Sequence, residues 1–219
     1  ALFFASHGRR LLPTDAGRTT MCPTEVLQDN NEPPYIRLLP IATRLNKQSM
    51  QQLRADRSAW TSHDLPLDDP EAMQVLLREL TASQMVPLSK ARELGLHTEP
   101  QEDGAPIPDL VQIPRWRMAQ INIRHPLLAQ GLRILDTPGL NAVGNEPELT
   151  YEMLPNAQAV LFVLGADTGV TRSDLEIWQQ ITRRPGSQRR PGLMVVLNKT
   201  DTLWDELRPQ QEVDETIYK

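Results

Sequence analysis

Residues 193–201 read Leu-Met-Val-Val-Leu-Asn-Lys-Thr-Asp. Five apolar residues followed at once by polar ones are typical of a strand that ends at a sheet edge. The polar part has the form Asn198-Lys199-x-Asp201. A rigidly held carboxylate there accepts two hydrogen bonds from the ring N–H and exocyclic amine of guanine, a donor pair that adenine lacks. The motif therefore predicts a guanine-binding loop, with the lysine stem along the base and the asparagine tying neighbouring loops together.

A second apolar run, 132–135, ends in Asp136-Thr-Pro-Gly139. An aspartate at the carboxyl end of a parallel strand lies where ligands bind in open sheets, and it can hold Mg2+ through a water shell. Because Gly139 has no side chain, its backbone N–H can approach a terminal phosphate closely. Taken alone this motif is weak, because Asp-Thr-Pro-Gly also forms a good turn.

Apolar runs of this kind also occur at 35–41 and 159–164, and all four runs predict buried strands. Segments 148–154 and 173–181 have helical spacing and lie between the last three runs. The alternation of strand and helix predicts an α/β fold with a parallel sheet covered on both sides. Thr171 and Asp174 stand at capping-box spacing before the second helix, and Asp167 and Thr168 are assigned to the same capping segment.

The middle of the chain has a different character. Asp69-Pro70 supplies a helix cap and a first-turn proline before apolar residues at helical spacing, Gly95 supplies a helix stop, and 97–109 is acidic and proline-rich. The segment 44–110 is therefore predicted to be a helical and loop insertion. Alternating apolar residues over 111–123, with a slip of phase after Met118, predict a bulged strand beside the strand at 132–135.

Composition limits the class of protein. The 219 residues are enough for one sizeable domain, and the 23 basic and 28 acidic residues leave a net charge of −5. That charge argues against a surface that grips nucleic acid or anionic lipid over its whole extent. The single cysteine, Cys22, allows no disulfide within the chain, fits a reducing compartment and is expected to be a packed side chain. The composition therefore predicts a cytoplasmic protein.

The two motifs together suit a guanine-nucleotide-binding domain, because Asp136 and Asn198 lie 62 residues apart with one predicted strand between them. Residues 12–23 read Leu-Pro-Thr-Asp-Ala-Gly-Arg-Thr-Thr-Met-Cys-Pro. On these motifs the chain resembles the large GTPases of the dynamin superfamily, especially the bacterial dynamin-like members. Residues 12–23 are similar to the switch loop of that family. The resemblance implies a three-layer GTPase domain of the P-loop NTPase type over 1–219, largely parallel, with one antiparallel hairpin and the helical insertion.

The resemblance also implies roles for single residues. Thr20 would reach Mg2+ and the attacking water, Asp136 would hold Mg2+ through water, and Gly139 would sense the γ-phosphate, while Asn198, Lys199 and Asp201 would bind guanine. The implied reaction is the hydrolysis of GTP to GDP and phosphate, with Mg2+ as cofactor. Leu140 follows Gly139, where Ras-like enzymes have a water-orienting glutamine, so the water would be positioned in another way.

The resemblance further implies that the basal rate is slow and rises when two GTPase domains meet, so self-association through this domain is expected. Partners at a membrane or on the chromosome would be reached through regions outside these residues. The expected location is the cytoplasm, with peripheral attachment to a membrane or the nucleoid as the further options.

One family motif is missing, because no G-x-x-x-x-G-K-[ST] occurs in the sequence. That loop binds the β- and γ-phosphates. We therefore expect a fragment cut at both ends, in which the phosphate loop precedes Ala1, and we expect these 219 residues alone to bind GTP poorly.

Two alternatives remain open from sequence. One is a protein-interaction module that keeps a GTPase-like sheet but binds no nucleotide. The other is a ribosome-assembly GTPase, which the 116-residue interval between Thr20 and Asp136 disfavours.

Overall fold

The computed structural model of the chain describes residues 22–96, 109–137, 157–182 and 192–200. The chain divides into two compact units, Ala1–Pro147 and Glu148–Lys219. The strands of the first unit are β1 (Thr24–Leu27), β2 (Tyr35–Pro40), β3 (Thr61–Asp64), β4 (Ser83–Pro87), β5 (Leu110–Pro114), β6 (Trp116–Asn122) and β7 (Ile134–Asp136). Its helices are α1 (Met50–Ala55), α2 (Pro70–Arg78) and α3 (Leu88–Glu93). The second unit contains β8 (Ala159–Gly165), α4 (Arg172–Thr182) and β9 (Gly192–Asn198).

The main sheet of the first unit has the strand order β3-β2-β6-β1-β7. β1 is parallel to β6 and antiparallel to β7, while β2 is antiparallel to both β3 and β6. β4 and β5 form a separate antiparallel pair, and β8 and β9 form a parallel pair in the second unit. The predicted α/β class is confirmed. The predicted largely parallel sheet is wrong for the described residues, because four of their six strand pairings are antiparallel.

The core of the first unit is built by β2, β6 and α2. Ile36, Leu38 and Ile121 are at most 1% exposed. Ile36 and Leu38 point to the same face of the sheet, because side chains alternate along a strand, and Ile121 lies opposite Ile36 on β6. Leu77 of α2 belongs to the same cluster, and so does Cys22, as the sequence predicts. Burying one such aliphatic side chain stabilises the fold by about 1.5–3 kcal/mol. The sheet and α2 are therefore held together chiefly by apolar packing.

The start of α2 is the cap that the sequence predicts. The Asp69 carboxylate accepts hydrogen bonds from the backbone N–H groups of Glu71 and Ala72, each at 3.0 Å. Pro70 occupies the first turn, where its missing N–H costs nothing. Helix α3 likewise ends two residues before Gly95, whose φ of +67° is a left-handed conformation that glycine adopts without strain.

Asn122, at the end of β6, fastens the turn between β1 and β2. Its side-chain amide donates to the carbonyls of Asp29, Glu32 and Pro33 at 3.2, 3.3 and 3.0 Å, and its oxygen accepts from Asp29 N–H at 2.8 Å. The side chain is only 2% exposed, so water cannot easily replace these bonds.

The continuous strand predicted over 111–123 is wrong. The chain leaves one sheet for another at Arg115, whose N–H donates to the Ala82 carbonyl and whose carbonyl accepts from Ile41 N–H. Two strands result, because β5 pairs with β4 while β6 pairs within the main sheet. An irregularity is present, but it lies earlier than predicted, since the register of β6 against β2 shifts between Trp116 and Met118 and not after Met118.

The expected contact between this strand and the one at 132–135 is also wrong. β1 lies between β6 and β7. No strand is predicted at β1, because its four residues include Thr24 and Glu25, which break the apolar pattern. The strand at 132–135 itself is confirmed with shifted bounds, as β7, but its predicted burial is wrong, because Leu132 is 47% exposed and Ile134–Asp136 are only half-buried.

Segment 44–110 contains the predicted helices, but it also contains β3 and β4. β3 has the polar sequence Thr-Ser-His-Asp and is exposed throughout, so it carries no apolar periodicity that sequence could reveal. Pairing with the edge of β2 makes it a strand. The loop predicted at 97–109 lies almost wholly outside the described residues, and the helix predicted at 148–154 lies outside them entirely.

The strands predicted at 159–164 and 193–197 and the helix between them are confirmed as β8, β9 and α4, but their predicted burial is wrong. All seven residues of β9 are exposed, and Met194 reaches 63%. Trp178 of α4 packs edge-on against Phe162 of β8, with ring centroids 6.1 Å apart. Two strands and one helix have too little apolar surface to bury both faces of their own sheet.

Replacing Asp69 with alanine removes the cap of α2. We expect a loss of about 1 kcal/mol in the free energy of unfolding, because two N–H groups lose their acceptor. Asp69→Asn keeps an acceptor oxygen and should stay within about 0.5 kcal/mol of the wild type. Urea denaturation followed by circular dichroism measures both, and equal stability of Asp69→Ala and wild type would contradict the capping role.

Replacing Asn122 with alanine leaves three carbonyls and one N–H, in part-buried hydrogen bonds, without their partner. We expect a loss of about 2 kcal/mol, within the range for unsatisfied buried polar groups. Asn46→Ala is the matched control, since Asn46 makes only an exposed 3.4 Å side-chain bond to Gln48, and it should cost less than about 0.5 kcal/mol. Similar urea midpoints for the two variants would show that Asn122 does not fasten this turn.

Candidate functional site

Asp136 is the last residue of β7, and it is half-buried. Its Cα partner across the antiparallel pair is Thr24, the first residue of β1. The end of β7 and the beginning of β1 therefore lie at the same edge of the main sheet. Thr20 and Gly139 fall outside the described residues.

The chain that enters β1 is anchored at this edge. Thr24 is fully buried, and its hydroxyl donates to the carbonyl of Cys22 at 3.2 Å. The Cys22 thiol in turn lies 3.8 Å from the carbonyl of Leu80. These contacts fix Cys22, near the end of the predicted switch loop, and Thr24, the first residue after it.

A buried carboxylate connects β1 to both of its neighbours. Glu25 is 6% exposed and lies opposite Leu135 of β7. Its carboxylate accepts from the Gln120 amide at 3.0 Å and pairs with Arg54 at 3.1 Å and with Arg133 at 3.8 Å. Arg133 directly precedes β7, so the Glu25–Arg133 pair lies at the start of the strand that ends in Asp136.

The second part of the predicted site follows β8 and β9. The two strands are parallel, and Gly165 pairs with Asn198 at their carboxyl ends. The Ala166 N–H donates to the Asn198 carbonyl at 2.8 Å, which joins the two loops beyond the last pair. The loop after β8 therefore lies beside the Asn-Lys-x-Asp loop. Asp201 falls outside the described residues.

Lys199 has an unusual backbone and a defined partner. Its φ of +59° is the only positive value at a non-glycine residue among those described, and such conformations cluster at functional sites. Its Nζ lies 2.6 Å from Oδ2 of Asp167. The hydrogen bond from Lys199 and its charge hold the pKa of Asp167 below the ordinary range.

Asp167 lies in a tight turn that begins at Gly165. The N–H groups of Thr168 and Gly169 both donate to the Gly165 carbonyl, at 3.2 and 2.9 Å. A side chain at position 165 would place its Cβ 2.5 Å from Oδ1 of Asp167, so glycine is needed for the carboxylate to lie there.

The capping role predicted for this segment is partly wrong. Thr171 and Asp174 do form the cap, since the Asp174 carboxylate accepts from the Thr171 N–H at 2.8 Å and the Thr171 hydroxyl accepts from the Asp174 N–H at 3.3 Å. Asp167 instead pairs with Lys199. The only sequence signal for this pair is that each residue follows closely on one of two strands predicted to be adjacent.

Two features are absent from the described residues. These residues contain no group of three or more His, Cys, Asp or Glu side chains arranged to hold a metal ion. Among them there is also no helix with the length and apolar character needed to cross a membrane.

Comparison with known proteins gives one family match and several partial likenesses. Residues 7–200 match the model of the Dynamin family. The tRNA modification GTPase MnmE of Aeromonas hydrophila subsp. hydrophila is 30% identical over 93 residues, which are 40% of this chain and 20% of that protein. The chain thus spans about a fifth of that relative's length.

Two solved chains belong to an oligomerised bacterial dynamin pair that is described as a mechanism for long-range sensing and tethering of membranes. They align with 99% of this chain at 15% and 12% identity, with TM-scores of 0.48 and 0.47. The aligned parts are 27% and 32% of those chains. Because the family match extends over residues 7–200 of 219, this chain belongs to the dynamin family, and its α/β fold is that of the family's GTPase domain.

Proposed function

We propose that this chain binds GTP with Mg2+ and hydrolyses it to GDP and phosphate as part of a longer protein. The observation that carries the proposal is the parallel pairing of β8 and β9. It brings the loop after β8 beside Asn198 and Lys199 at one sheet edge, which is where ligands bind in open α/β sheets. Membership of the dynamin family supports the same reaction.

The loop after β9 selects guanine over other bases. Asp201 accepts from the ring N–H and the exocyclic amine of the base, and Lys199 lays its stem along the ring. The carbonyl of Asn198 is hydrogen-bonded to the neighbouring loop, which keeps the motif next to the end of β8. Adenine offers no matching donor pair, so its binding would leave the Asp201 carboxylate without hydrogen bonds and is disfavoured.

The phosphates and Mg2+ are bound by residues that precede β1 or that end and follow β7. Asp136 and Thr20 supply the oxygens for Mg2+, and Gly139 offers its backbone N–H to the γ-phosphate. Mg2+ usually keeps several waters and takes only one or two protein oxygens beside the phosphates, so the Asp136 carboxylate at the end of β7 fits it. When bound, the ion neutralises charge that develops on the phosphate oxygens. Thr20 orients the attacking water, since phosphoryl transfer depends mostly on positioning.

We further propose that the protein is cytoplasmic and that two copies meet through this domain. Contact with a membrane or with the nucleoid would involve other parts of the longer protein. Family membership supports self-association at this level.

Binding of a fluorescent GDP analogue to the full-length protein tests guanine selection. Asp201→Asn should weaken the affinity at least about tenfold, because one acceptor becomes a donor that faces the donors of guanine. Asp64→Asn, an exposed carboxylate on β3, is the control and should leave the affinity unchanged. Equal affinities of the wild type for guanine and adenine nucleotides would overturn the proposal in favour of the interaction module.

Thr20→Ala tests the phosphate end separately. The rate of phosphate release from GTP should fall at least about tenfold, while GDP affinity stays within about threefold, because the hydroxyl acts on the ion and the water rather than on the base. Thr19→Ala removes the neighbouring hydroxyl as the matched control and should keep the wild-type rate. An unchanged rate in Thr20→Ala would place the catalytic threonine elsewhere, and the same loss in both variants would show that the effect is not specific to Thr20.

A further inference from the structure

We infer that Asp167 is a positioning residue for Lys199, so that the guanine loop is already arranged before nucleotide binds. The inference rests on the proposed function and assigns a new role within that site. It starts from the 2.6 Å contact between the Lys199 ammonium and the Asp167 carboxylate.

The local backbone indicates that this pair is specified by the fold. Lys199 takes the left-handed conformation as it leaves β9. Gly165 leaves room for the carboxylate of Asp167, and the Gly165 carbonyl closes the turn that carries it. The Ala166–Asn198 hydrogen bond fixes the spacing between the two loops. Each partner is thus oriented by its own backbone.

The pair contributes little to the stability of the fold. Lys199 and Asp167 have side-chain exposures of 53% and 34%, and ion pairs between exposed groups contribute little free energy. The pair instead restricts the rotamers of the Lys199 side chain. A long side chain that is unrestrained loses rotamer entropy when it is ordered against a ligand. A lysine that is already held loses less on binding, so affinity rises without any new contact to the nucleotide.

This role fits the geometry of the two loops. The carboxylate holds only the terminal ammonium, so the four methylene groups of Lys199 remain available to lie against a flat ring. Asp167 itself belongs to the loop after β8 and need not touch the base.

The test measures GDP and GTP affinity of the full-length protein in the variants Asp167→Asn, Lys199→Met and the double variant. Asp167→Asn removes the charge and keeps the shape, and we expect affinity for both nucleotides to fall about fivefold. In the Lys199→Met background the same substitution should have no effect, because the group it positions is absent. A role in folding alone would lower the affinity in both backgrounds.

Glu176→Gln is the matched control. It breaks another exposed ion pair of the same unit, between Arg172 and Glu176 at 3.2 Å, and should leave nucleotide affinity unchanged. Asp167→Glu, which restores the charge one methylene further out, should recover part of the loss.

The possible failures are distinguishable. If the wild type shows no preference for guanine over adenine, the proposed function and the positioning role both fail. If the wild type selects guanine but Asp167→Asn binds as well as the wild type or better, only the positioning role fails. A loss that persists in the Lys199→Met background overturns it too.

Discussion

Four residues, Thr24–Leu27, connect β7 to the rest of the main sheet of the first unit, because β1 pairs with β6 on one side and with β7 on the other. The two pairings run in opposite directions. The antiparallel one brings the start of β1 to the end of β7, and so the chain that follows the predicted switch loop enters the sheet beside Asp136. Without β1, strand β7 would lose its only sheet neighbour among the described residues.

The same strand carries a buried acidic side chain, which is costly unless it is paired. Glu25 has two arginines and an amide within reach, and these come from three different parts of the first unit. Arg54 belongs to α1, Gln120 to β6 and Arg133 to the chain before β7. One buried charge thereby links the region between β2 and β6 to the strand that ends in the candidate magnesium ligand.

The candidate site of the second unit is formed by two loops. Parallel strands bring their carboxyl ends together, and the loops after β8 and β9 determine which side chains meet there. In this chain one loop has a glycine that makes room for a carboxylate, and the other has a lysine in a left-handed conformation. The ion pair between them is an arrangement of side chains at a sheet edge, and it involves little of the apolar core.

The sequence by itself determined the α/β class, the strands β2, β7, β8 and β9, the helices α2 and α4 and the Asn-Lys-x-Asp motif, because each has a local signal in its apolar spacing, its cap or its residue types. Tertiary structure alone decided the place of β1 and β3, the break at Arg115, the exposure of β9 and the partner of Asp167. The strand placements, the break and the ion pair depend on contacts between residues far apart in the chain, and such contacts leave no periodic pattern in the sequence. The exposure of β9 depends instead on the small apolar surface that two strands and one helix can offer to cover it. The polar residues of β3 form a strand only because β2 pairs with them, and the Asp167 carboxylate forms an ion pair only because β9 places Lys199 beside it.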